Sequence, residues 1–143
     1  MLENEVIKHL CIWLEANGWK IESTALNRDK GDDIRASKDG RILLVEAKGA
    51  KGNPENHSVV RDIFSPGQIK DHLGKAIVKA LELKAKNPNA LIVIAHPATE
   101  KILSIVKPIA PQLISVGFLF VFVRDDGAVE WMGQLPGEVR GVA

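Results

Sequence analysis

Gly31-Asp32-Asp33-Ile34-Arg35-Ala36-Ser37-Lys38-Asp39-Gly40-Arg41-Ile42-Leu43-Leu44-Val45-Glu46-Ala47-Lys48-Gly49 is the stretch on which the reading of this chain turns. Asp-Gly between alternating apolar residues is the strongest short-range hairpin signal, because the favoured two-residue turn needs positive φ at both central positions. With Asp39 and Gly40 in those positions the register follows by counting. Lys38 falls opposite Arg41, Ser37 opposite Ile42, Ala36 opposite Leu43, Arg35 opposite Leu44, Ile34 opposite Val45, and Asp33 opposite Glu46. The two carboxylates become cross-strand neighbours, about 5 Å apart at Cβ. Lys48 lies two residues beyond Glu46 and points to the same face, whereas Asp32 points away. Like charges set directly opposite each other destabilise a sheet. The arrangement therefore calls for a divalent cation.

The same register gives the hairpin two faces. Ile34, Ala36, Leu43, Val45 and Ala47 form an apolar face that should pack on a helix. Asp33, Arg35, Glu46 and Lys48 form the other, with Ile42 and Leu44 toward the turn. Ahead of the hairpin, Glu3 to Asn17 has helical periodicity, with Leu2, Val6, Leu10 and Trp13 in one line and Ile7 and Leu14 beside it. Trp19 to Thr24 alternates like a strand. The polar segment from Gly49 to Ser65 is a loop of functional length. Ser65 is a predicted N-cap and Pro66 a first helical residue, opening a helix to about Lys86. Leu91 to Ala95 reads as a strand buried on both faces, ending in His96-Pro97. A helix from Thr99 to about Leu113, interrupted near Pro108 and Pro111, precedes a strand from Gly117 to Val123. The turn Asp125-Asp126-Gly127 leads into a last strand, Val129 to Met132. The order predicts an α/β fold with a mixed sheet, one domain over 1–133 and a C-terminal tail over 134–143.

With 143 residues and 45% hydrophobic content, the chain can bury a real core as one domain. No run of eighteen apolar residues occurs, and the acidic N-terminus lacks a signal-peptide pattern, so a cytoplasmic protein without a membrane span is expected. Cys11 is the single cysteine, cannot form an internal disulfide, and is read as a packing residue. The net charge of +1 neither requires nor forbids a nucleic-acid partner. Aromatics are scarce and tyrosine is absent, which argues against a stacking platform for single strands.

On the chemical face, Asp33 and Glu46 would supply carboxylates to Mg²⁺, with the Ala47 carbonyl as a third oxygen, in keeping with the ion's preference for oxygen ligands. Such an ion polarises a phosphodiester and activates water for in-line attack. Lys48 would orient that water and stabilise the oxyanion, its acidic neighbours keeping it protonated. The competing reading is a surface hairpin whose acids are neutralised by Lys48 as an ordinary ion pair. Glu-x-Lys by itself means little. Glu82-Leu83-Lys84 repeats it inside a helix, where it reads as a solvated face. No histidine pair has zinc-ligand spacing, and His57, His72 and His96 have ordinary structural readings. Lys51, Arg61, Lys70 and Lys75 could line a phosphate groove.

Gly31-Asp32-Asp33-Ile34 and Val45-Glu46-Ala47-Lys48-Gly49, behind a helix carrying an acid, resemble the PD-(D/E)XK nuclease superfamily over residues 3 to 96. The nearest flavours are Holliday-junction resolvases and small restriction or repair nucleases. The resemblance implies a restriction-endonuclease-like α-β-β-β-α-β core, and here a C-terminal helix and β-hairpin follow it. It further implies a DNA endonuclease dependent on Mg²⁺, with Mn²⁺ as a substitute. Asp33 sits before an aliphatic residue as the family's acid does, and Glu46 and Lys48 match its Glu-x-Lys. Its first-helix glutamate maps to Glu5, with Glu3 as second choice because the helix phase is uncertain by a residue. Gln68 holds the place of a glutamine that some members carry. The family's proline before the first acid is absent. No room remains for a recognition domain, so target choice would rest on a partner protein or a structured substrate, and a homodimer would give two cuts. The alternative is a nucleic-acid-binding or assembly module on the same fold.

Overall fold

The computed structural model describes residues 1–25, 32–50 and 64–135. Helix α1 (Glu3–Ala16) is followed by strands β1 (Lys20–Thr24), β2 (Ile34–Lys38) and β3 (Arg41–Ala47). Helix α2 (Pro66–Lys86), strand β4 (Leu91–Pro97), helices α3 (Glu100–Val106) and α4 (Ala110–Ile114), and strands β5 (Leu119–Val123) and β6 (Val129–Met132) complete it. The β2–β3 turn takes the expected form: φ is 50° at Asp39 and 78° at Gly40. The five pairs from Lys38↔Arg41 to Ile34↔Val45 match the counted register.

All six strands join one open sheet in the order β1-β2-β3-β4-β5-β6. β3, β4 and β5 run parallel and the other pairings are antiparallel. Parallel neighbours need a crossover, and α2 supplies it between β3 and β4. α1 covers one sheet face, packing Val6, Ile7, Leu10 and Leu14 on Ile34, Ala36, Leu43, Val45 and Ala47. α2 covers the other, packing Ile69, Leu73, Ala76, Ala80 and Leu83 on Leu44, Ile92, Ile94, Phe120 and Phe122. The face that carries the acids is therefore not a bare solvent surface. It is the second core, and the acids lie where that core ends.

Two details depart from the sequence reading. The segment after β4 is two short helices rather than one interrupted helix, with Pro111 in the first turn of α4, where its missing N–H costs nothing. The tail is not wholly without packing either. Leu135 is buried in the α1-side core, so the packed chain runs past residue 133. Among the described residues no helix is long and apolar enough to cross a membrane.

Candidate active site

The site forms at the C-terminal end of β3, where strand alternation sends Glu46 toward α2 while Val45 and Ala47 go to the α1 side. Asp33 sits just ahead of β2, and its chain continues the hairpin: its N–H donates to the Val45 carbonyl at 2.9 Å. Its side chain is fixed by the Ala47 N–H, which donates to Asp33 Oδ2 at 2.7 Å. The Asp33 and Glu46 carboxyls are in hydrogen-bonding contact, although the regular ladder ends at Ile34↔Val45 and the Asp33 N–H bonds Val45 rather than leaving Asp33 as a regular partner of Glu46. Lys48 Nζ lies 3.3 Å from Glu46 Oε2. Lys48 is itself anchored to the next strand, its N–H donating to Ala95 O at 2.9 Å.

The electrostatics are those of two acids short of counter-charge. Burial and the neighbouring Asp33 raise the Glu46 carboxyl to about 7, against the smaller opposing pull of Lys48. Asp33 is raised as well, chiefly by burial, while its bond from Ala47 and the Lys48 charge hold it down. Like charges in contact disfavour ionisation of both carboxyls at once.

Of the two helix-1 acids, Glu3 is the one whose charge is felt by Asp33, Glu46 and Lys48. Burial and Asp33 raise the Glu3 carboxyl, while Lys48 lowers it, so Glu3 shares the field of the site. Glu5 is exposed and serves as the third residue of a cap, its Oε1 accepting from the Leu2 N–H at 2.8 Å. The buried stripe holds the clue. Glu3 is four residues before Ile7 and seven before Leu10, hence on the buried side, whereas Glu5 falls off it. Glu3 reaches the site because α1 starts against the end of β3. A Cβ on Gly49 would come within 2.6 Å of the Glu3 backbone nitrogen, and the Ala50 N–H donates to Met1 O at 2.8 Å.

Gln68 is likewise a cap rather than a free accessory group. Its Oε1 accepts from the Ser65 N–H at 2.8 Å, and its own N–H donates to Ser65 Oγ at 3.2 Å. Lys70 and Lys75 do stand at the site. With Asp71, Gly74, Val78, Lys79 and Glu82 of α2 they line an open groove of about 600 Å³ that reaches Glu46 and Lys48. Lys51 and Arg61 lie outside the described residues, as does His57. Arg35 shares the face but not the place: it lines a separate groove with Gly40, Asn87 and Ala90 at the far end of the sheet. In the Glu82-Leu83-Lys84 repeat, Lys84 Nζ donates to Ala90 O at 3.1 Å, a helix-end contact away from the carboxyl pair.

His96 and His72 flank the site from β4 and α2. His96 is fully buried beside Phe122, and burial with the Lys48 charge drives its pKa down to about 3. Neither of its ring nitrogens has a hydrogen-bond partner among the described residues. His72 meets Phe64 edge-on, 4.3 Å between ring centres. Burial, then the positive charges of Lys48 and Lys75, lower its pKa.

Among the described residues no three His, Cys, Asp or Glu side chains converge as a metal cage. Two carboxyls and the Ala47 carbonyl remain. The Ala47 N–H already binds Asp33, which keeps the backbone of residue 47 beside the acid. Such a sparse, all-oxygen set suits Mg²⁺, which keeps several waters and takes one or two carboxylates.

No family model matches the chain, and no curated protein matches it. Two solved structures share its fold. One is an XisH family protein from Nostoc punctiforme: 18% identity, TM-score 0.60, covering 90% of this chain and 98% of that one. The other is an fdxN element excision controlling factor protein from Anabaena variabilis: 19% identity, TM-score 0.60, covering 92% and 98%. At these identities the likeness is one of fold.

Proposed function

We propose that this chain is a metal-dependent DNA nuclease of the PD-(D/E)XK type, hydrolysing phosphodiester bonds at the Asp33–Glu46–Lys48 site. The observation that carries the reading is the contact between buried Glu46 and half-buried Asp33, each raised in pKa, with Lys48 at 3.3 Å from Glu46. A fold meant only to be stable gains nothing from desolvating two like charges against each other. Asp33, Glu46 and the Ala47 carbonyl would hold Mg²⁺ or Mn²⁺, which when bound supplies Lewis-acid polarisation of the phosphate and a more acidic water. Lys48 then stabilises negative charge developing on the phosphate and orients the attacking water. Glu3 adds negative charge behind the pair, and Lys70 and Lys75 take neighbouring phosphates.

A second reading is a DNA-binding or assembly module on the same fold. The name of one fold relative, an excision controlling factor, is compatible with either. The intact set of two acids and a lysine favours the nuclease. Supercoiled plasmid incubated with purified protein in Mg²⁺, Mn²⁺ or EDTA separates the two. Metal-dependent nicking that disappears in Lys48→Ala and in Asp33→Asn supports the enzyme. Cleavage that survives either substitution sinks the site. Retardation of DNA in EDTA with no cutting in any metal supports the module.

A further inference from the structure

Gly74 sits in the interior of α2, a helix of 21 residues, at a position that glycine suits poorly. Its backbone has no positive φ that would demand glycine. A Cβ there would meet nothing within 4 Å among the described residues. Gly49 makes the contrast, since a Cβ there strikes the start of α1. At Gly74 the described protein supplies no reason for the missing side chain. Yet Gly74 lines the groove that holds Glu46 and Lys48, between Lys70 and Lys75. The ion pairs among the described residues are Lys48–Glu46, Lys107–Glu130 and Arg124–Glu130, so Lys70, Lys75 and Lys79 stand outside all of them. Asp71 and Glu82 also line the groove and temper its charge, and Val78 adds an exposed apolar spot.

We propose that the sugar-phosphate backbone of bound DNA runs along this flank of α2, passing against the bare helix at Gly74. Lys70 and Lys75 sit to either side and Lys79 adds a further phosphate contact. The inference rests on the nuclease reading and deepens it by giving the strand a path. Lys70 and Lys75 are about 7.5 Å apart along the helix axis, and Lys75 and Lys79 about 6 Å. Round the helix Lys70 lies to one side of Gly74, and Lys75 with Lys79 to the other, so the amines bracket the groove and meet phosphates from both sides. Two Cα hydrogens let a phosphodiester come to van der Waals contact with the helix. A side chain at 74 would hold the strand off and lengthen the ion contacts on both sides.

The test pairs stability with binding, because the two should move in opposite directions. Binding of a fluorescein-labelled duplex is followed by anisotropy in Ca²⁺, beside thermal melts. Gly74→Ala should raise Tm by about 2–4 °C through helix propensity. It should weaken duplex binding at least about fivefold, and Gly74→Gln should weaken it further. Lys79→Ala should weaken binding and lower the slope of log K against log salt by about 0.9, while Lys86→Ala changes neither. Gly74→Ala and Gly74→Gln proteins that bind as tightly as wild type overturn the path and leave the nuclease reading standing. A wild-type protein that neither binds nor cuts the duplex overturns both.

Discussion

Because burial and Asp33 raise the Glu46 carboxyl from 4.5 to about 7, the folded protein holds a proton there that the unfolded chain has released. Stability therefore falls as pH rises from about 4.5 through 7. Glu46→Gln removes that burden. In EDTA at pH 8 it should be more stable than wild type by about 1–3 kcal/mol in urea melts, with the difference gone near pH 4.5. The same variant should lose cleavage and lose the rise in Tm that Mg²⁺ gives the wild type. His96 has the opposite sign. Its folded pKa, down near 3 from 6.5, means that the unfolded chain takes up a proton first as pH falls. Stability then drops by about 1.4 kcal/mol per pH unit below 6.5, offset by Glu46 until about 4.5 and unopposed by it below. His96→Leu should flatten that acid arm, read as urea midpoints between pH 6 and 3.5. Asp33 and Glu46 were legible in the sequence because the Asp39-Gly40 turn pins the register. His96 was not. A histidine closing an apolar strand reads the same whether buried or exposed, and burial here depends on Phe122, distant in sequence.

At the scale of elements, the hairpin and both flanking helices could be read from periodicity and caps, because each is set by short-range rules. What escaped was the division of labour at the helix starts. A glutamate or glutamine three residues past a cap can turn back onto it, and both Glu5 and Gln68 do so. Local geometry engages both side chains in their caps. Glu5→Gln and Gln68→Ala should thus cost about 0.5–2 kcal/mol or less in stability and leave cleavage near wild type. Glu3→Gln should cut cleavage with little change in melting, and the ratio of nicking rates for the two α1 variants decides between them. Gly49→Ala tests how the elements are joined. Its Cβ would press on the Glu3 nitrogen, so α1 must move away from β3. A loss of about 1–3 kcal/mol is expected, together with a fall in cleavage resembling that of Glu3→Gln.

Over the whole molecule, two cores meet on one sheet, and the site occupies the seam where β3 ends, α1 begins and α2 passes by. Ligands of open sheets gather at the carboxyl ends of parallel strands, and this site lies at that end of β3 and β4. The formal charge of +1 hid the surface that matters, since it averages over residues the fold sends to different places. Lys48, Lys70, Lys75 and Lys79 come to one groove, whereas Lys84 turns to the β4 end and Lys107 pairs with Glu130. Helix phase assembles that group, and a net total carries no phase. If those four amines meet phosphates, DNA affinity should fall steeply with salt, with a log–log slope of about −3 to −4 for a duplex. Removing Lys70 or Lys75 should lower that slope by about one each and weaken all sequences alike, since phosphate contacts carry no base information. Anisotropy titrations from 50 to 300 mM KCl measure it. A slope near zero would mean that the groove does not hold the DNA, whatever the carboxyl pair can do to a phosphodiester that reaches it.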